Sequence, residues 1–451
     1  MLRTDVLVIG SSAGGMVVAL TGKKMNPEKS FTVITMNEKT LVPCGIPYVF
    51  GSVGSTDKNL IPVDVKFKAS GIDMIVGEVT EIVKADKYVT MKNGESIGYD
   101  KLVLATGSFP YKPKWLKGAD FSNVYAVPKN KLYVDQVQEE LKETKNIIVI
   151  GAGFIGVEMS DELKKAGKNV TLIERLPNIL SLAFDADISQ RARVLLEGNG
   201  VNVLTNTTVK EIVGGEKATG VLFEDGTVLE ADAIILSMGY KPNTELAYKA
   251  HIPINDAGFI RVDEYLRTFE EDIFAVGDCA EKKHFITRKS APMMLASIAC
   301  AEARTVGLNL FGISVIKTFS GTISIFATAI NGTGFGVAGI TEKEAKENGI
   351  NYTTGAFEGV DRHPGSLPDT HKQYVKFIVA KDSGVILGGE VVGGLSTGEL
   401  INTIGIMIQN RMNINSLLTA QIGSHPLLTA SPAGFPMIKA AEEAVFNMMK
   451  K

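Results

Sequence analysis

KNIIVIGAGFIGVEM, residues 145–159, decides the fold. Apolar, mostly β-branched residues run up to Gly151, small residues follow, and a helical pattern takes over. The join, Gly151-Ala152-Gly153-Phe154-Ile155-Gly156, is a GxGxxG turn between strand and helix. The first glycine of such a turn makes the bend. The second lets backbone approach a pyrophosphate, and the third lets helix and strand pack closely. Free N–H groups at the helix start then face the anion. The next strand, NVTLIE, ends at Glu174, about 20 residues on, where an acid takes the ribose 2′-hydroxyl. Gly151, Gly153, Gly156 and Glu174 are therefore expected to hold a nicotinamide dinucleotide. Glu174 would repel a 2′-phosphate, which favours NADH. Arg175, directly behind it, keeps NADPH open.

The same unit opens the chain. TDVLVIGSSAGGM, residues 4–16, has a strand, small residues and a helical pattern, but Ser12 stands at the middle glycine of Gly10–Gly15. Its second strand, FTVIT, ends at Thr35, where an acid would be expected. The two units also close alike, with YDKLVLATGSFPYKP in the first and ADAIILSMGYKPNTE in the second. This is a repeated nucleotide-binding unit, not the short period of a solenoid. TFEEDIFAVGDCAE, residues 268–281, reads as a short strand ending in Gly277-Asp278. There backbone can come close to a ligand, and a carboxylate is offered to its hydroxyls.

Bulk composition narrows the class. A chain of 451 residues, 45% hydrophobic and 22% charged, has the makings of several cores. A net charge of −3, with no block of basic residues, argues against a nucleic-acid partner. Three cysteines form no spaced framework, and the N-terminal apolar run is too short for a signal peptide, so reduced thiols and a cytoplasmic location are expected. No membrane span is expected. No His/Cys cluster has metal-ligand spacing, so no metal is expected.

LVPCGIPYVFG, residues 41–51, holds Cys44 between two prolines at a helix start. Helix N-terminal N–H groups favour thiolate over thiol. The alternative is a small buried hydrophobe, the commoner state of a free cysteine. Cys279 and Cys300 read as core.

Together these pieces resemble the two-dinucleotide-fold flavoprotein disulfide reductases. PCGIPYVFG and GSSAGGM are similar to the single-cysteine branch of the FAD-dependent pyridine nucleotide-disulfide oxidoreductases. That branch includes coenzyme A-disulfide reductases, NADH-dependent persulfide and polysulfide reductases, and NADH oxidases and peroxidases. The resemblance implies an α/β fold of two Rossmann-like dinucleotide-binding domains, for FAD and NAD(P)H, plus a C-terminal α+β dimerisation domain. Residues 1–112 and 243–320 would form the FAD domain, 113–242 the NAD(P)H domain and 321–451 the interface. FAD would be held by Gly10, Ser12, Ala13, Gly15, Thr106, Gly107, Gly277 and Asp278; Gly239 would join the NAD(P)H site. In relatives with two cysteines the partner lies five residues on, and that position is Val49. Cys44 would then cycle as a mixed disulfide, a persulfide or a sulfenic acid.

Three departures bear on the acceptor. Ala13 stands where the oxidase and peroxidase members carry a histidine, which tilts the chemistry toward sulfur. DRHPGS (361–366) and GSHPLLTASP (423–432) lack the tyrosines of coenzyme A-disulfide reductases. Instead His425-Pro426 with Thr429 resembles the His-Pro-Thr segment whose histidine, in two-cysteine reductases, is an acid–base catalyst supplied by the other subunit. His363 is a second candidate. Lys23, Lys24 and Lys66 stand where relatives hold coenzyme A phosphates; a solvated basic face is the alternative. The expected partner is a small sulfur acceptor, such as coenzyme A disulfide, met by a homodimer or a dimer of dimers. NADH oxidase activity and electron transfer to a small redox protein are the other readings.

Overall fold

The computed structural model describes residues 1–316 and 318–450. Leu2–Ile9, Phe31–Thr35 and Asp73–Val76 form one parallel edge of a seven-stranded sheet. Ser96–Leu104 lies on the other side of Leu2–Ile9 and is long enough to serve two partners. Its first half pairs antiparallel with Tyr88–Met91, and its last half pairs parallel with Ile273–Ala275. Val6, Leu7 and Val8 are all fully buried. A run without alternation is what a strand covered on both faces requires.

Ile273–Ala275 explains why the first unit is discontinuous in sequence. The helix that follows, Ala296–Asn309, lies along the first helix, Ala13–Met25. Small residues bring the two close: a Cβ at Gly14 would meet Ala299 at 3.7 Å, and one at Gly307 would meet Thr21 at 2.8 Å.

The second unit is a five-stranded, wholly parallel sheet. Its order is Val124–Ala126, Ala233–Leu236, Asn146–Ile150, Asn169–Ile173, Asn202–Leu204. Two short antiparallel strands, Ser108–Pro110 and Tyr240–Pro242, carry the chain into it and out again.

The third unit is a five-stranded antiparallel sheet ordered Phe326–Ile330, Thr333–Gly339, Ile386–Gly393, Lys372–Ala380, Tyr352–Val360. Helices Thr397–Gln409 and Pro436–Met449 pack on it. The latter comes so close that a Cβ at Gly355 would stand 2.1 Å from the backbone nitrogen of Ala444. The architecture is thus two Rossmann-like units and a C-terminal α+β unit. Among the described residues no helix is long and apolar enough to cross a membrane.

The second and third units are joined by buried charge. Lys376, 5% exposed, lies 2.8 Å from both Asp185 and Glu342 and 3.3 Å from Glu390. Burial pushes the Glu390 carboxyl up, to about 8, with Asp185 adding to the effect.

Candidate active site

The two glycine loops are built alike. Gly10 has a φ of +112° and Gly151 one of +100°, a left-handed conformation open mainly to glycine. A Cβ at Gly10 would stand 2.1 Å from the Ala105 carbonyl oxygen, and one at Gly151 would stand 2.6 Å from that of Ser237. Behind them, a Cβ at Gly15 would meet the Gly10 carbonyl oxygen at 1.8 Å, and one at Gly156 would meet that of Gly151 at 1.8 Å. Each helix therefore starts directly against its loop. Gly153 has open space where a Cβ would be. At the equivalent place Ser12 caps its helix from extended backbone without a side-chain cap bond.

Both loops open on one cavity of about 1340 Å³. That exceeds the roughly 300–1,000 Å³ of an ordinary small-ligand site. Gly10, Ser12, Ala13, Thr106, Gly107, Gly277 and Asp278 line its first part, and Gly151, Gly153, Glu174 and Gly239 its second. Gly15 and Gly156 are buried behind the loops instead. Volume, glycine cradles and free helix starts together fit two dinucleotides.

Asp278 stands at the turn after Ile273–Ala275, mostly buried. Lys129 lies 2.6 Å from its carboxylate, and Ser108 donates a hydrogen bond at 2.7 Å. Burial works to raise the Asp278 carboxyl, but Lys129, with Ser108 and Lys282, holds it below its usual range. Beneath, the Gly277 N–H donates to Glu302 at 2.7 Å, and buried Lys282 donates to the carbonyls of Gly277 and Ala280. Thr35 replaces the acid of the first unit. Ser11 donates to its hydroxyl at 2.8 Å and lies 3.1 Å from that of Thr40. In the second unit Glu174 accepts from the N–H groups of Ala152 at 2.8 Å and Leu176 at 2.9 Å. Its carboxylate is thus fixed at the cavity wall.

Cys44 lines the same cavity, in the single turn Pro43–Gly45 that leads into the short helix Ile46–Val49. It is exposed, whereas Cys279 is buried. Val49 is fully buried in the core. The expectation of a depressed thiol is corrected: although Cys44 is open to the cavity, desolvation by the protein around it and the Glu158 carboxyl push it up, against the opposing charge of Lys129. A helix of four residues offers too few aligned dipoles to reverse that. Glu158 itself is pushed up by burial, to about 7, while the Thr328 hydroxyl donates to it at 2.7 Å.

Other expected residues do not line this cavity. Lys23 donates to the carbonyls of Pro27 and Lys29, at 2.9 and 2.7 Å. Lys24 and Lys66 are exposed, and none of the three lines the cavity. His425 is also exposed and away from the cavity of its own chain. Its loop is tied to the 361–371 loop: the ring of His363 bonds the Thr429 carbonyl at 3.0 Å, and the His363 N–H donates to that of Pro426 at 3.3 Å. Lys129, Ser108 and Glu158 were not anticipated. For Glu158 a signal existed, since it lies one helical turn beyond Phe154 and so shares its face. Lys129, in an irregular loop, gave none.

Comparisons with known proteins agree with this geometry. Residues 4–303 match the pyridine nucleotide-disulphide oxidoreductase model, and residues 325–433 match the dimerisation domain of the same family. An NAD(P)H coenzyme A polysulfide/persulfide reductase of Pyrococcus horikoshii is 31% identical over 87% of this chain and 88% of its own. An NADH oxidase of Enterococcus faecalis is 29% identical over 93% of this chain and 95% of its own. The solved structure of an NAD-dependent persulfide reductase from A. fulgidus superimposes with a TM-score of 0.90 at 30% identity, covering 98% of this chain and 83% of that one.

Proposed function

The chain belongs to the pyridine nucleotide-disulphide oxidoreductases, enzymes that work with FAD and NAD(P)H, and we propose that it reduces a small sulfur acceptor at Cys44. The acceptor is a persulfide, a polysulfide or a low-molecular-weight disulfide such as that of coenzyme A. One observation carries this reading: Cys44 shares a cavity with both glycine loops, and the position five residues on is a buried valine. The thiol has no internal partner there, so its partner is the substrate.

In this reading FAD lies on Gly10, Ser12, Ala13, Thr106, Gly107, Gly277 and Asp278. NADH lies on Gly151, Gly153, Glu174 and Gly239. Gly15 and Gly156 serve by letting each helix start close to its loop. Residues 1–112 with 243–320, 113–242 and 321–451 act as the FAD, NAD(P)H and interface domains. Bound together, the two cofactors supply the electron pair that the sulfur acceptor consumes.

The chain's own part is binding, orientation and protonation. Asp278, kept ionised by Lys129, meets hydroxyl groups of its ligand. Glu174, anchored on two N–H groups, offers its remaining lone pairs to a ribose. Cys44 as thiolate attacks a sulfur of the acceptor, forms a mixed disulfide and releases a thiolate. His425 of a second copy protonates that leaving group, a role suited to imidazole near neutral pH. The matched dimerisation segment supports a homodimer. The likeness to NADH oxidases favours a second reading, oxygen as acceptor with Cys44 as sulfenic acid. Anaerobic NADH consumption with polysulfide, compared with aerobic consumption without it, separates the two. Faster turnover on oxygen alone would overturn the sulfur assignment.

A further inference from the structure

Lys282 is a buried cation whose contacts gather on a single turn. Its side chain is 1% exposed. The ammonium donates to the Gly277 carbonyl at 2.6 Å and to that of Ala280 at 2.8 Å. Glu302, fully buried on helix Ala296–Asn309, takes the same turn by its other backbone group, accepting from the Gly277 N–H at 2.7 Å. The two charged groups lie 3.5 Å apart. Glu302 Oε1, the oxygen nearest Lys282, has no hydrogen-bond partner among the described residues. The helix also packs on the turn directly: a Cβ at Gly277 would stand 3.4 Å from Ala299, about one helical turn before Glu302.

A buried ion pair is a poor source of stability, because desolvating both charges offsets their attraction. This one also leaves a carboxylate oxygen without a hydrogen bond. Burial pushes Glu302 up to about 7, with Lys282 and the Gly277 N–H working against it. What the pair does hold is position, since its backbone contacts fall on both sides of Asp278: Gly277 before it and Ala280 after it. The Asp278 side chain is fixed separately. Lys129 and Ser108 both donate to Oδ2, which among the described residues leaves Oδ1 to a ligand. A carboxylate held at one oxygen is aimed only as well as its backbone is placed.

We propose that Lys282 and Glu302 are positioning residues for FAD: they hold the Gly277–Ala280 turn from behind and so aim Asp278 Oδ1 at a hydroxyl of the cofactor. They act through Asp278 and do not touch the ligand. The inference rests on the reading of Asp278 as an FAD contact.

The test is a double-mutant cycle on FAD affinity. Wild type, Lys282→Met, Asp278→Ala and the combination of the two are each purified, saturated with FAD and diluted, and the released flavin is read by its fluorescence. Lys282→Met alone should bind FAD at least about tenfold more weakly, the scale of one lost charge-assisted hydrogen bond. With Asp278 already replaced, the same substitution should change affinity by less than about threefold, since the side chain it aims is gone. Equal losses in both backgrounds would show a general structural role and overturn the inference. Unchanged affinity in Lys282→Met would overturn it too. Lys282→Met leaves Glu302 without its counter-charge, so Lys282→Met with Glu302→Leu, which removes both buried ions, is carried through the same cycle. It should show the same dependence on Asp278, and a loss independent of Asp278 would again overturn the inference. If Asp278→Ala alone binds FAD as wild type does, the parent reading fails, whatever the Lys282 variants show.

Discussion

Lys129 places its ammonium 2.6 Å from the carboxylate of Asp278, across 149 residues of sequence. Lys129 precedes the helix Lys131–Glu140, capped by Asn130, while Asp278 stands in the turn after a strand of the first sheet. The pair therefore ties the entry of the second unit to the first unit's ligand wall. Asp278→Ala should leave the purified protein with little flavin, measured by its visible absorbance against protein. Lys129→Met should lower flavin content less, because the carboxylate remains. Full flavin in Asp278→Ala would remove this residue from the site.

The two glycine loops make a paired prediction. Alanine at Gly15 or Gly156 puts a carbon 1.8 Å from a backbone oxygen, which must move. Gly15→Ala should cost flavin. Gly156→Ala should keep flavin but lower kcat/KM for NADH on the order of 100-fold, the scale of a 1 Å misplacement. Equal loss of flavin in both would contradict the division between the loops.

The raised thiol of Cys44 sets a pH dependence. Burial and Glu158 favour the neutral form, so the thiolate fraction is small at neutral pH and grows as pH rises. Turnover on a disulfide acceptor, at saturating NADH, should therefore climb from neutral into mildly alkaline solution. A profile flat from acid to alkaline would mean that thiolate formation does not limit the step.

Lys376 faces four carboxylates, with Asp187 at 3.9 Å the farthest. Removing the Lys376 ammonium leaves buried negative charge unpaired. Lys376→Met should destabilise the protein by about 3–5 kcal/mol, the range for breaking a buried pair from one side. Calorimetry checks this, and an unchanged melting temperature would contradict it.

His425 acts across the dimer in the proposed mechanism, so two defective chains should complement. Equal mixing of Cys44→Ser with His425→Ala, refolded together, should restore about a quarter of wild-type turnover. Half of the dimers are then mixed, and each has one intact site. No recovery would place the acid elsewhere.

Much of this was legible from local pattern. The GxGxxG turn, the strand end at Glu174 and the Gly277-Asp278 turn each carry their constraint within a few residues, so the repeated unit could be read directly. The ionic partners could not. Lys129 reaches Asp278, and Thr328 reaches Glu158, across 149 and 170 residues, and no local pattern encodes such pairings. The thiol of Cys44 differs from its local reading in part for the same reason. Its short helix suggests a lowered thiol, while desolvation by the surrounding fold, and after it a carboxyl from another unit, push it up. Lys23 illustrates the converse: a lysine in a promising place binds the carbonyls of the loop that follows its helix.

The central claim is that Cys44 carries the sulfur chemistry. The direct measurement is anaerobic NADH oxidation by wild type and Cys44→Ser with polysulfide and with coenzyme A disulfide, each protein holding equal flavin. The account predicts that wild type turns over at least one of these acceptors and that Cys44→Ser falls to background on it. Equal rates for the two proteins on every sulfur acceptor would contradict it.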